Sequence, residues 1–200
     1  MNAVTDSLAL HLTDDLPLHR LRVEQYLAMI RAGIIGEDDR VELIEGVMVQ
    51  KMPGNAAHAT AQHLLLYWLM RLFDSRRATI RMKQPIVLDD SLPQPDLCIL
   101  HGDIRRYATR QPRAEDVLLL VEVSDTMLKS DRAVKRALYA AAGIREMWIV
   151  NLIDRQIEVY SDPDRAAGTY QVEAVHPADG TVTLTLDGST IAVCPVADLL

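Results

Sequence analysis

Val117-Leu-Leu-Leu-Val-Glu-Val123 is a near-continuous apolar run that carries a single acid. Read as a strand, it needs cover on both faces, which places it at the centre of a sheet with helices packed against it. Side chains alternate along a strand, so Leu118, Leu120, Glu122 and Ser124 share one face and Val117, Leu119, Val121 and Val123 the other. Glu122 stands at the strand's carboxyl end. A second apolar run, Pro95-Asp-Leu-Cys-Ile-Leu100, opens on Asp96. An ionised carboxylate in either setting is costly unless a cation or several donors meet it. If the two strands are neighbours, Asp96 approaches Glu122, and like charges at short range force one pKa up unless a cation lies between them.

Downstream, Ser130-Asp-Arg-Ala-Val-Lys-Arg-Ala-Leu-Tyr-Ala-Ala-Ala-Gly143 predicts a helix. Ser130 is its expected N-cap, Val134, Ala137, Leu138, Ala141 and Ala142 its apolar face, and Gly143 its stop. Met147 to Leu152 and Gln156 to Tyr160 read as strands around a turn at Asp154-Arg155. Thr169 to Val175, Val182 to Leu186 and Ile191 to Val193 continue as short strands, split by the hairpin signals Asp179-Gly180 and Asp187-Gly188. Upstream, Val23, Tyr26, Leu27 and Ile30 have helical spacing with Gly33 as a stop, and Val41 to Met52 reads as a hairpin around Gly46. After Pro53-Gly54-Asn55, the stripe Ala57, Ala61, Leu64, Leu65, Trp68, Leu69 and Leu72 predicts a helix of about four turns. Thr79 to Leu88 reads as a strand, and the arginine-rich segment His101 to Asp116 as a mobile or partner-facing loop. Residues 1–17 lack a period and suggest a flexible arm, leaving 18–200 as one domain. The expected class is α/β (α+β): a central mixed sheet flanked by helices, with a β-rich C-terminal tail.

The chain has 200 residues, 49% hydrophobic and 24% charged, and is globular in composition. No apolar stretch approaches the ~18 residues of a membrane span. The two cysteines, Cys98 and Cys194, stand far apart and indicate neither a disulfide framework nor a zinc knuckle, which fits the cytoplasm. A net charge of −7 is no aid to gripping nucleic acid by the overall field, so any such contact must be local. Most of the clustered arginines and lysines, such as Arg76, Arg77, Arg81 and Lys83, read as solvated faces. Gly-rich phosphate loops, nucleophile elbows and paired-cysteine motifs are absent.

Two strand-borne carboxylates suit a hard, oxygen-ligated divalent ion such as Mg²⁺, with Mn²⁺ as a substitute; a backbone carbonyl, that of Val123, adds another oxygen. Lys135 on the following helix can orient or deprotonate an attacking water, or offset charge on a phosphate. Asp131, Lys135 and Tyr139 stand four residues apart in one stripe, which is equally the pattern of a surface ion pair. Asp96 has a bland alternative as a turn cap after Pro95, and Glu122 as a strand-end acid paired with an arginine or with water. His58, at the start of the long helix, can touch phosphate or water, or simply cap and pack.

These residues resemble the PD-(D/E)XK nuclease superfamily and, within it, the Uma-type putative restriction endonucleases, over roughly residues 18–200. The resemblance rests on Glu42-Leu-Ile-Glu-Gly46, Met52-Pro53 followed by His58, Pro95-Asp96, Glu122-Val-Ser124, Asp131 with Lys135 and Tyr139, Gly143 before Met147-Trp-Ile-Val150, and Val196-Ala-Asp-Leu199. It implies a restriction-endonuclease-like core in which Asp96 and Glu122 bind the metal. Ser124 stands where the superfamily's simplest pattern has lysine, so the resemblance makes Lys135 the candidate lysine and Lys129 its reserve. A carboxylate of the first hairpin, Glu42 in preference to Glu45, is implied to reach the metal. The implied activity is hydrolysis of DNA, with a homodimer cutting two strands. The rival expectations are a catalytically silent nucleic-acid-binding or accessory module, and a protein-interaction domain in which the acids form salt bridges.

Overall fold

The computed structural model describes residues 18–73 and 77–200. The proposed arm at 1–17 and the basic residue Arg76 lie outside the described residues. Helix α1 is Val23–Arg31, with Tyr26 buried and its hydroxyl donating to the carbonyl of Val41 at 3.1 Å. Strands β1 (Val41–Ile44) and β2 (Val47–Gln50) form a hairpin whose two-residue turn, Glu45-Gly46, has both φ angles positive, the geometry that matches strand twist. A Cβ on Gly46 would fall 2.6 Å from that of Arg20, so only glycine fits there. The hairpin docks on the segment before β4: Leu92 N donates to Leu43 O at 2.7 Å, Gly46 N to Asp90 O at 2.9 Å, and Glu45 N to Ser91 Oγ at 2.7 Å.

Helix α2, Ala56–Leu72, starts at Asn55, whose side chain accepts from His58 N at 3.0 Å. A central mixed sheet follows, in the order β3 (Ala78–Met82), β4 (Leu97–His101), β5 (Val117–Ser124), β6 (Glu146–Asn151), β7 (Gln156–Asp164), β8 (Thr169–Pro177). β5 and β6 run parallel and the other neighbours antiparallel. A parallel pair needs a crossover, supplied by helix α3 (residues 128–142). The sheet separates two cores. On one side Ala61, Leu65 and Leu69 of α2 pack on Leu97, Ile99, Leu119 and Val121, together with the hairpin β9 (Thr181–Leu186) and β10 (Ser189–Pro195). On the other, Leu138, Tyr139 and Ala140 of α3 pack on Cys98, Leu120, Met147 and Ile149. Truncating Leu65 or Leu69 to alanine is expected to cost ~2–5 kcal/mol.

Three expectations are corrected. The strand expected from Thr79 to Leu88 ends at Met82, because Lys83 turns with φ 49°, although Ile86 and Leu88 are still buried. The segment 101–116 forms two short 3-10 turns, tied down by buried Asp116, which takes both Arg110 guanidinium nitrogens at 2.6 and 2.8 Å and Arg113 N at 2.9 Å. Helix α3 begins at Leu128, two residues before Ser130, and Val134, Ala137 and Ala141 face solvent while Leu138, Tyr139 and Ala140 are buried. The reason is the face that α3 turns to the sheet: it carries Asp131 and Tyr139, polar groups that find partners on β5. Strands β7 and β8 complete the main sheet, and the β9–β10 hairpin is the β-rich C-terminal tail beside it.

Candidate active site

The antiparallel register of β4 and β5 sets Leu97 against Val121, so Asp96, one residue earlier, reaches the end of β5 where Glu122 and Val123 lie. Asp96 Oδ2 accepts from Val123 N at 2.8 Å and stands 3.3 Å from His58 Nε2, while Oδ1 accepts from the Gln62 amide. Gln62 and His58 are one turn apart on α2, so one helix face grips the carboxylate from two sides. Burial pushes the Asp96 carboxyl up, but the hydrogen bond and charge of His58 and the Val123 N–H outweigh it and hold the acid below its usual range. The same hydrogen bond raises His58 above the ordinary histidine value against its burial. The His58 ring lies where a Cβ on Gly54 would come within 2.6 Å of Nδ1, so Gly54 makes room for it.

Glu122 is 2% exposed. Its Oε1 accepts from the Tyr139 hydroxyl at 2.7 Å and lies 3.1 Å from Lys135 Nζ. That ammonium is also 3.7 Å from Glu42 Oε1 and 3.9 Å from Asp131 Oδ1. Burial pulls the Lys135 pKa down, but Glu122, Glu42 and Asp131 outweigh it and hold the group above the usual lysine value. Burial pushes Glu122 up to about 8, with Lys135 opposing and Asp96, Asp131 and Glu42 assisting. Asp131 is likewise raised by burial, against Lys135 and the hydrogen bond from Ser124 Oγ. Both Asp131 and Lys135 come from a π-helical turn, Asp131–Lys135, set into α3, a widened geometry often found at functional positions.

Glu42, Asp96, Glu122, Asp131, Lys135 and His58 all line one cavity of about 970 Å³. Acids and cations both line it, Arg40, Lys51, Lys83 and Lys135 among the latter, so it is burial, with Asp96, Asp131 and Glu42 close by, that keeps Glu122 raised. This donor set fits a hard divalent ion. Among the described residues no three acid, histidine or cysteine side chains stand together as a group that could hold a metal ion.

The family model for Uma2, described as "Putative restriction endonuclease", matches residues 23–194. The chain belongs to the Uma2 family. No curated protein matches the sequence. The crystal structure of a putative nuclease belonging to DUF820 from Anabaena variabilis ATCC 29413 is similar in fold, with a TM-score of 0.65 at 16% identity, covering 84% of this chain and 94% of that one. No helix among the described residues is long and apolar enough to cross a membrane.

Of the side chains singled out in the sequence, Asp96, Glu122, Lys135, Glu42, His58 and Asp131 line this cavity in the Uma2 chain, together with Val123. Glu45 does not: it sits in the exposed hairpin turn beside Arg20. Lys129 is exposed, in a separate depression with Arg132 and Arg136. Sequence reasoning missed Gln62 and Lys51. The signal for Gln62 was its place four residues after His58 on an otherwise apolar helix face; for Lys51 it was a lysine closing the hairpin that carries Glu42.

Proposed function

We propose that this Uma2 protein is a divalent-metal-dependent endonuclease that hydrolyses DNA phosphodiester bonds. Asp96 and Glu122, with the backbone carbonyl of Val123, are the ligands proposed for Mg²⁺ or Mn²⁺. When bound, such an ion polarises a phosphoryl oxygen and acidifies its water. Asp96, kept ionised by His58, Gln62 and the Val123 N–H, is ready to bind a cation without first losing a proton. Lys135 keeps its own proton, so its role is to donate to the phosphate as negative charge builds up rather than to act as base. Glu42 holds Lys135 from the hairpin side, and Tyr139 orients Glu122. Cutting both strands of a duplex calls for two such sites, hence a homodimer. The buried free thiols of Cys98 and Cys194 support a reducing, cytoplasmic setting.

The observation that carries this reading is the meeting of three segments: Lys135 Nζ is 3.1 Å from Glu122 Oε1, at the strand end whose Val123 N–H fixes Asp96 at 2.8 Å. The test is supercoiled plasmid with Mg²⁺ or Mn²⁺. Wild type is expected to nick it, and Asp96→Asn and Lys135→Ala to lose ~100-fold or more of the rate. Equal nicking by all three, or none by wild type, overturns the proposal.

A further inference from the structure

Lys51 follows β2 at the foot of the first hairpin, and its backbone is pinned. Its N–H donates to Arg40 O at 2.7 Å, and the neighbouring Gln50 amide donates to the Asp39 and Arg40 carbonyls at 3.1 and 3.2 Å. Its Nζ donates to Gln94 Oε1 at 2.8 Å. Gln94 N in turn donates to Glu42 Oε2 at 3.0 Å, the carboxylate whose other oxygen lies 3.7 Å from Lys135 Nζ. A short chain of polar contacts thus joins the two lysines across Gln94 and Glu42, and both line the cavity that holds Asp96 and Glu122.

The two ammonium groups differ in what answers their charge. Lys135 has three carboxylates around it. Lys51 is half-buried and makes no ion pair among the described residues; its side-chain partner is a neutral amide. An ammonium partly withdrawn from water, hydrogen-bonded to an amide and reached by carboxylates only at a distance, gains from an incoming oxyanion. Lysine is a compact point charge with rotatable donors, suited to phosphate oxygens. Lys83 and Arg40 also line this cavity but are exposed.

We propose that Lys51 is a phosphate-binding residue, contacting a backbone phosphate of the strand held in the cavity, as a second cation beside Lys135. The choice of nucleic acid as ligand rests on the nuclease reading. The contact itself depends only on the placement of Lys51.

Binding of a fluorescently labelled DNA duplex, followed by anisotropy over a salt series in Ca²⁺ with strand integrity checked on a gel, tests it. K51Q is expected to weaken binding about tenfold at low salt and to flatten the plot of log affinity against log salt by about 0.9, the loss of one phosphate contact. K51M, which keeps the aliphatic stem, must show the same slope, and K51R must restore most of it. Wild-type affinity and slope in K51Q and K51M overturn the proposal, as does a wild-type protein that binds no DNA. Plasmid nicking with Mg²⁺ separates the two readings. Lys51-dependent binding by a wild type that never nicks sinks the nuclease and keeps the phosphate contact, whereas nicking with Lys51-independent binding does the reverse.

Discussion

Burial pushes the Glu122 carboxyl up to about 8, against the pull of Lys135. In the unfolded chain the same group ionises near the ordinary glutamate value of 4.5. Between these values the folded protein binds a proton that the unfolded chain has lost, so this group's contribution to stability falls as pH rises through the window. A cation that uses Glu122 must expel that proton. Apparent affinity for Mn²⁺ is therefore expected to climb by up to about tenfold per pH unit below 8 and to level off above it. Calorimetric titration at several pH values reads this directly, and E122Q is expected to lose both affinity and slope; a flat wild-type profile refutes Glu122 as ligand. Asp96 and Glu122 were legible in the sequence because an acid in an apolar strand demands an explanation. Gln62 was missed although its place one turn after His58 on an apolar face could be read, because an amide on a helix has no assigned role until its partner is known, and that partner, Asp96, lies on another element.

Helix α3 shows what hydrophobic spacing leaves out. A stripe through Val134, Ala137 and Ala141 is the natural apolar face of a regular helix, yet those residues are exposed and the buried face includes Asp131 and Tyr139. Polar groups can be turned inward when partners wait for them, and here Ser124 and Glu122 on β5 do. The π-helical turn is invisible in sequence because the same residues could close either an i to i+4 or an i to i+5 bond. Deleting exposed Ala133 removes the extra residue and leaves a regular helix. In the regular helix Asp131 and Lys135 stand three residues apart and not four, so with Leu138, Tyr139 and Ala140 anchored in the core the two side chains no longer meet Ser124 and Glu122 from the spread positions that the wide turn gives them. We expect helical content by circular dichroism to persist while nicking is lost and the melting temperature drops. Unchanged activity and melting would show that the π turn positions nothing.

The site sits at the carboxyl end of β5, where a parallel neighbour on one side and an antiparallel one on the other leave a crevice that α3 and the first hairpin close. The central strand and the mixed sheet could be read from the run at 117–123; that β7 and β8 join this sheet while β9 and β10 cover α2 could not, because alternation marks a strand without naming its partner. This extension of the sheet matters to the site helix. Arg132 of α3 grips Glu158 of β7, with Nε to Oε2 at 2.9 Å, and Arg136 reaches Glu173 of β8 at 2.7 Å. Glu158 is 2% exposed and also accepts from Asn151 at 2.7 Å and Tyr160 at 2.8 Å. Burial pushes its carboxyl up, but Arg132, Asn151 and Tyr160 outweigh this and bring it down to about 2. A depressed acid contributes its stability above the unfolded value of 4.5 and loses it as pH falls toward 2. With Arg132 partly in solvent, we expect about 2 kcal/mol to disappear across that window. Urea unfolding between pH 6 and about pH 2.5 measures it. In E158Q the ion pair is gone, so stability at neutral pH falls by ~3 kcal/mol and this part of the acid dependence vanishes. An E158Q protein that retains the wild-type acid profile would mean that α3 is held to the sheet by its apolar contacts alone.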